Sequence, residues 1–288
     1  MSHLFCFGFG YSAGAFARRC LAQGWRVSGT SRTNAGVAAM DAAGVEGALF
    51  DGQRRSDEVA RVLSVASHVL VSAGPDEGGD PVLRCHRDDL ARCQHFPWVG
   101  YLSTVGVYGN HDGAWIDEET LPNPKSERSK RRLASEEAWR GLAEQAGLPL
   151  QIFRLAGIYG PGRSAVDKLR AGTARRLIKP GQVFNRIHVE DIALILQAAC
   201  AAPDKAGIYN VSDDEPAPPQ DVVSFAAELL GIAEPVALDF DTAEMSPMAR
   251  SFYSENKRVR NSKMKSAFQI SLKFPSYREG IAAIAAQS

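Results

Sequence analysis

The chain opens with a short apolar run, two glycines one residue apart, and an amphipathic helical pattern, LFCFGFGYSAGAFARRCLAQG. A run that short and that apolar reads as a strand buried on both faces. Gly8, Gly10 and Ala13 follow it as GxGxxA. Gly8 permits a tight turn, Gly10 lets backbone approach a pyrophosphate, and a small Ala13 lets helix pack on strand. Tyr11 and Ser12 then fall in the first helical turn, where free N–H groups and the helix dipole favour phosphate. Ala13, Phe16, Ala17, Cys20 and Leu21 share one helical face, which stops at Gly24.

The same alternation continues. WRVSGTS, VEGALFD, HVLVSAG, WVGYLST and LQIFRLAGIYG read as strands, with helical patterns at 34–44 and near 56–66, 82–94 and 129–146. Strands separated by helix-length connections imply right-handed βαβ units. The expected fold is therefore α/β, a Rossmann doubly wound parallel sheet with a small C-terminal substrate lobe. Residues 1–160 form the dinucleotide-binding core and 161–288 mostly the lobe, with 186–212 returning to the core. A helix is expected after Asp191, a strand GIYNV ending near Val211, and another helix after PAPPQD. Residues 240–288 read as one loop-like piece and one terminal helix.

Composition narrows the partners. Lys plus Arg and Asp plus Glu are 33 each in 288 residues, so no bulk charge attracts nucleic acid or an anionic membrane. No apolar stretch reaches spanning length, and the N-terminus lacks the basic region of a secretory signal. Cys6, Cys20, Cys85, Cys93 and Cys200 are odd in number and lack any CxxC, which fits reduced, buried thiols and a cytoplasmic location. No metal-ligand spacing is present, and no metal is expected.

The end of the second strand selects the cofactor. An acid there would bind ribose hydroxyls and repel a 2′-phosphate; this chain has Thr30, Ser31 and Arg32. An arginine fork takes a phosphate in a charge-assisted pair, so NADP(H) is expected over NAD(H).

Several segments together resemble the extended short-chain dehydrogenase/reductase family, the NAD-dependent epimerase/dehydratase group. They are YLSTVGVYG (101–109), IFRLAGIYGPGR (152–163), RIHVEDIA (186–193), IYNVSDDEP (208–216) and NKRVRNSK (256–263). The resemblance implies Asp51 near the adenine, Ser72, Ala73 and Gly74 along the cofactor, and Ala156, Gly157 and Ile158 facing the nicotinamide. It places Thr104 at the catalytic hydroxyl position, with Ser103 before it and Tyr108 after. Arg163, Arg186 and Arg258 lie in the resembling motifs as candidates for substrate contact. The family's YxxxK pair falls, by the same register, on Arg128 and Arg132. Arginine does not release a proton at working pH, so Arg128 does not replace the tyrosine. The likeness is thus to an atypical branch that keeps the cofactor site and varies the catalytic one.

Other features have plainer readings. Asp191 fits an N-cap and His188 a support for the sheet edge. The basic run Lys125, Arg128, Lys130, Arg131 and Arg132 reads as a solvated helix face. The second run, Lys168, Arg170, Arg175, Arg176 and Lys179, fits either a solvated face or an anionic substrate. Two readings of function stand. One is an NADP(H)-dependent oxidoreductase or epimerase acting on a polar carbonyl or hydroxyl compound, anionic forms included. The other is a non-catalytic NADP(H)-sensing or scaffold protein. The charged run on the helix after the fifth strand leaves monomer and homodimer equally open.

Overall fold

The computed structural model describes residues 2–93 and 95–287. The first half runs β1 (His3–Phe7), α1 (Tyr11–Ala22), β2 (Arg26–Ser31), α2 (Asn34–Ala42), β3 (Glu46–Leu49), α3 (Asp57–Leu63), β4 (His68–Val71), α4 (Pro81–Arg92) and β5 (Trp98–Thr104). A 3₁₀ turn (Val105–Tyr108) and β6 (Trp115–Ile116) lead to α5 (Glu127–Ala146) and β7 (Leu150–Leu155). The chain continues through β8 (Gly157–Tyr159), α6 (Ala165–Arg170), β9 (Arg176–Ile178), β10 (Arg186–His188), α7 (Val189–Cys200) and β11 (Gly207–Val211). Last come α8 (Pro219–Leu230), β12 (Ala237–Asp239), α9 (Pro247–Phe252), β13 (Arg258–Val259), α10 (Ser262–Phe268) and α11 (Tyr277–Ala285).

Seven strands form one parallel sheet in the order β11-β7-β5-β4-β1-β2-β3. Its strands are apolar on both faces because helices cover both. The side-chain alternation of β1 shows this: Leu4 and Cys6 pack with α1 and α7, whereas Phe5 and Phe7 pack with α3, α4 and α5. The order reverses between β1 and β4, and the carboxyl ends on either side of that switch form the crevice where such sheets bind ligands.

Outside this sheet, three two-stranded pairs stitch the later segments to the crevice: β8 with β10, β9 with β12, and β6 with β13. The segment 240–288 differs from its sequence reading, since it holds three helices and not one. The expected terminal helix is α11; the two further ones, α9 and α10, have 6 and 7 residues, under two turns each, too few for a repeating apolar stripe to stand out. Capping decides two of the three: Ser276 and Glu279 form a capping box for α11, and Ser246 caps α9. Asp191 also differs. The cap of α7 is His188, whose Nδ1 accepts the Glu190 N–H at 3.2 Å. Asp191 sits in the first turn and accepts the Lys273 and Phe274 N–H groups at 2.7 and 3.0 Å, tying the C-terminal segment to the sheet.

Candidate functional site

The glycine turn is shaped by close approach of backbone. Gly8 has φ +81°, and a Cβ on it would lie 2.9 Å from the Ala73 nitrogen. Ser72 and Ala73 both donate their N–H to the Phe7 carbonyl at 2.8 Å, which brings the end of β4 against the turn. Thr30, 2% exposed, holds the turn from below: its Oγ1 accepts the Gly8 N–H at 2.8 Å, and its carbonyl accepts that of Phe9 at 3.0 Å. Thr30 is therefore committed beneath the turn as the acceptor for two of its backbone N–H groups. Gly10 caps α1 without a side chain, so the N–H groups of Tyr11, Ser12 and Ala13 are left for a ligand.

At the end of β2, Ser31 Oγ accepts the Thr33 N–H at 3.3 Å, and Thr33 caps α2 by accepting the Gly36 N–H at 3.1 Å. Arg32 is exposed and makes no hydrogen bond or ion pair with any described residue. The nearby acids are engaged with backbone: Asp41 Oδ1 accepts the Gly47 N–H and Asp51 Oδ1 that of Gln53, both at 2.9 Å. Further along the crevice, Ala156 donates to the Val211 carbonyl at 2.9 Å and Gly157 to that of Asn185 at 3.0 Å, which sets β8 beside β10. The residues present fit a dinucleotide: a glycine cradle that a Cβ would fill, unspent helix N–H groups, and an unpaired arginine at the adenosine end.

The three hydroxyl candidates at the end of β5 separate. Thr104 is half-buried at the strand's carboxyl end and accepts the Gly106 N–H at 3.1 Å. Ser103 points the other way, as alternation along a strand requires, and donates to Glu136. Tyr108 is fully buried; its hydroxyl donates to Asn210 at 2.8 Å, and the Arg154 guanidinium stacks 4.7 Å from its ring centre. Burial pushes the Tyr108 phenol above its ordinary range. Glu136 and Arg154, 1% and 3% exposed, close this network with a 2.7 Å ion pair. Ser103 and Tyr108 thus complete a buried polar core and show no group to the crevice. Sequence reading missed that core, whose signal was an arginine inside the apolar run LQIFRL.

Arg128, in the register of the family tyrosine, is exposed on α5. Arg132, in the register of the lysine, reaches back to the crevice. Its Nη1 donates to the Tyr101 hydroxyl at 3.1 Å and the Leu102 carbonyl at 3.0 Å, and its Nη2 lies 3.0 Å from where a Cβ on Gly74 would be.

The arginines named for substrate contact hold loops together. Arg186 Nη1 donates to the carbonyls of Phe184 and Ala217 at 2.9 and 3.0 Å, and Arg258 donates to that of Gly113. Arg163 stacks 5.9 Å from the ring of Tyr11, whose hydroxyl donates to the Pro161 carbonyl at 2.9 Å. The second basic run is spent in part on the lobe: Arg176 pairs with Glu234 at 3.1 Å, while Arg175 and Lys179 donate to the carbonyls of Glu244 and Tyr253. His188 is buried and neutral, its pKa pushed down to about 4 by desolvation. Among the described residues no three or more His, Cys, Asp or Glu gather as a metal site, and no helix is long and apolar enough to cross a membrane.

A parallel seven-stranded sheet with a glycine turn at its switch point defines a nucleotide-binding α/β protein. Residues 8–212 match the model of the NAD dependent epimerase/dehydratase family, and the chain belongs to that family. It is similar to a functionally unknown conserved protein from Silicibacter pomeroyi DSS, with 50% identity, TM-score 0.90, and coverage of 100% of this chain and 99% of that one. Protein YeeZ of Escherichia coli K12 is 29% identical over 240 residues, 79% of this chain and 84% of that protein. The dTDP-glucose 4,6-dehydratase of Bacillus anthracis, solved in complex with NAD, is 15% identical and has the same fold, with TM-score 0.78 over 99% of this chain and 96% of that one.

Proposed function

We infer that the chain binds NADP(H) and acts as an oxidoreductase or epimerase on a polar carbonyl or hydroxyl compound, anionic forms included. The observation that carries the cofactor reading is Arg32: an exposed guanidinium at the end of β2, beside the Ser31 hydroxyl and the α2 N-terminus, with no carboxylate bonded to it among the described residues. A phosphate there gains a charge-assisted fork, which an NAD ribose does not offer. The glycine turn, the α1 N–H groups, Ala73, Gly74 and the 156–158 backbone would hold the rest of the dinucleotide. Thr104 is the one hydroxyl of its group that faces the crevice.

A second reading is supported by the burial of Tyr108 and the arginines at 128 and 132. A site without the usual proton donor suits a protein that senses NADP(H) without turning it over.

Calorimetry with NADP⁺, NADPH, NAD⁺ and NADH on wild type and Arg32→Ala tests the cofactor reading. Loss of one charge-assisted contact weakens NADP(H) about tenfold or more while NAD(H) changes little. Equal loss for both cofactors would remove the 2′-phosphate assignment, and no binding of any dinucleotide would remove the function.

A further inference from the structure

Arg132 belongs to the basic run that opens α5, but it does not lie on a solvated face. It is half-buried, and its guanidinium bends over the end of the sheet. Nη1 is spent on the Tyr101 hydroxyl and the Leu102 carbonyl. Nη2 and Nε have no partner among the described residues. These two atoms lie side by side, on the edge by which a guanidinium grips a carboxylate through two parallel bonds.

The contacts fix where that edge stands. Among the described residues, and apart from its chain neighbours, the Arg132 guanidinium alone comes within 4 Å of where a Cβ on Gly74 would lie, with Nη2 at 3.0 Å. Gly74 follows Ala73, against whose nitrogen the glycine turn packs. One turn earlier on α5, and so on the same helix face, Ser129 is buried against the end of β5. Its Oγ lies 3.0 Å, and Thr104 Oγ1 3.4 Å, from where a Cβ on Gly106 would be. The face of α5 that carries Arg132 therefore meets the strand end that carries Thr104.

The arginine lacks a counter-charge. The acids of the 74–80 loop are engaged elsewhere: Asp76 pairs with Arg84 at 2.8 Å, and Glu77 lies 4.0 Å from Arg131. Asp80, buried, accepts the Val82 and Leu83 N–H groups at 2.9 and 3.1 Å and the Trp139 indole N–H at 3.0 Å. A half-buried guanidinium with an idle edge and no carboxylate bonded to it is completed by an anion from outside.

We propose that the Nε–Nη2 edge of Arg132 takes the carboxylate of the substrate, so that the polar carbonyl or hydroxyl compound is an oxo or hydroxy acid. The NADP(H) oxidoreductase or epimerase reading makes this ligand the substrate; the anion site itself stands on the geometry. The acid then lies beside the Ala73–Gly74 backbone and near the end of β5, where Thr104 is the hydroxyl left for its carbonyl or alcohol.

Oxamate, its neutral ethyl ester and inorganic phosphate, titrated into apo and NADP⁺-loaded protein, test the site. The readouts are the Arg132 Nε–H resonance, assigned by its absence from Arg132→Met, and affinity by calorimetry. Oxamate should move the resonance and the ester should not. Arg132→Met should weaken oxamate about tenfold or more, with NADP⁺ held within about threefold. Arg132→Lys keeps the charge without the paired donors; it should fall between wild type and Arg132→Met, and it decides the matter if Arg132→Met does not fold. A resonance unmoved by oxamate overturns the proposal, as does an equal response to the ester, a response to phosphate alone, or unchanged oxamate affinity in both variants. A loss of NADP⁺ affinity as large as that of oxamate would assign the guanidinium to the cofactor and overturn it too. Wild type that binds no dinucleotide defeats the functional reading alone; the apo titration then sustains or overturns the carboxylate site by itself.

Discussion

At the β1–β2 end of the crevice the protein leaves donors unspent: three N–H groups in the first turn of α1 and the whole guanidinium of Arg32. At the β5–β7 end most polar groups are spent on one another, the buried Asn210 Nδ2 being an exception. Ser103, Glu136, Arg154, Tyr108 and Asn210 bond among themselves, buried from solvent. An end built of free donors is prepared for an anion that arrives from outside. An end whose polar groups mostly satisfy one another is prepared to keep its shape, and the hydroxyl left over there is that of Thr104. The missing YxxxK pair belongs to this second end. Its loss removes a proton donor without disturbing the buried network that supports Thr104.

The sharpest way to break the contrast is to open that network. Arg154→Ala leaves Glu136 as an uncompensated buried charge and should cost about 3–5 kcal/mol in chemical denaturation. A double change to Glu136→Leu and Arg154→Met should recover most of that, because the pair contributes shape more than net energy. A loss under about 1 kcal/mol in Arg154→Ala would mean that water reaches the Glu136 carboxylate.

Asp213, just past β11, runs against the pattern: it is 1% exposed, and neither carboxylate oxygen has a hydrogen-bond partner among the described residues. Burial raises its pKa from 3.8 to about 8, opposed by nearby Arg186. The folded state therefore holds a proton that the unfolded chain releases between about pH 4 and 8, and the stabilisation is lost as pH rises through that window. Asp213→Asn should be nearly neutral at pH 4 and more stable than wild type at pH 8, by up to a few kcal/mol, since one pKa unit is worth about 1.4 kcal/mol. Parallel melting curves of the two proteins from pH 4 to 8 would show that the oxygens are satisfied after all.

Much of this was legible in the sequence, for identifiable reasons. The parallel sheet could be read because strands buried on both faces are apolar throughout, and the glycine turn because its spacing answers to backbone sterics. The reaction end was harder to read. Ser103 and Thr104 are adjacent letters, and only the strand's alternation against α5 sends one inward to Glu136 and the other to the crevice. Lys257 looked like one basic residue in a basic motif; its burial depends on contacts to Gly109 and Asn185, 148 and 72 residues away. Thr30 was placed with the cofactor because it stands where an acid would, although the Gly8 N–H claims its hydroxyl.

That last contact gives the smallest expected effect and the finest test of the free-donor end. Thr30→Val keeps shape and β-branching but removes the acceptor for the Gly8 N–H. Losing one such bond should cost about 1 kcal/mol of stability. The turn should loosen as well, weakening NADP⁺ several-fold and speeding exchange of the Gly8 amide, while Thr30→Ser restores both. An unchanged Gly8 exchange rate in Thr30→Val would show that the contact with Ala73 alone fixes the turn. The free donors of α1 would then be positioned by the sheet switch itself, and β2 would contribute only through Ser31 and Arg32.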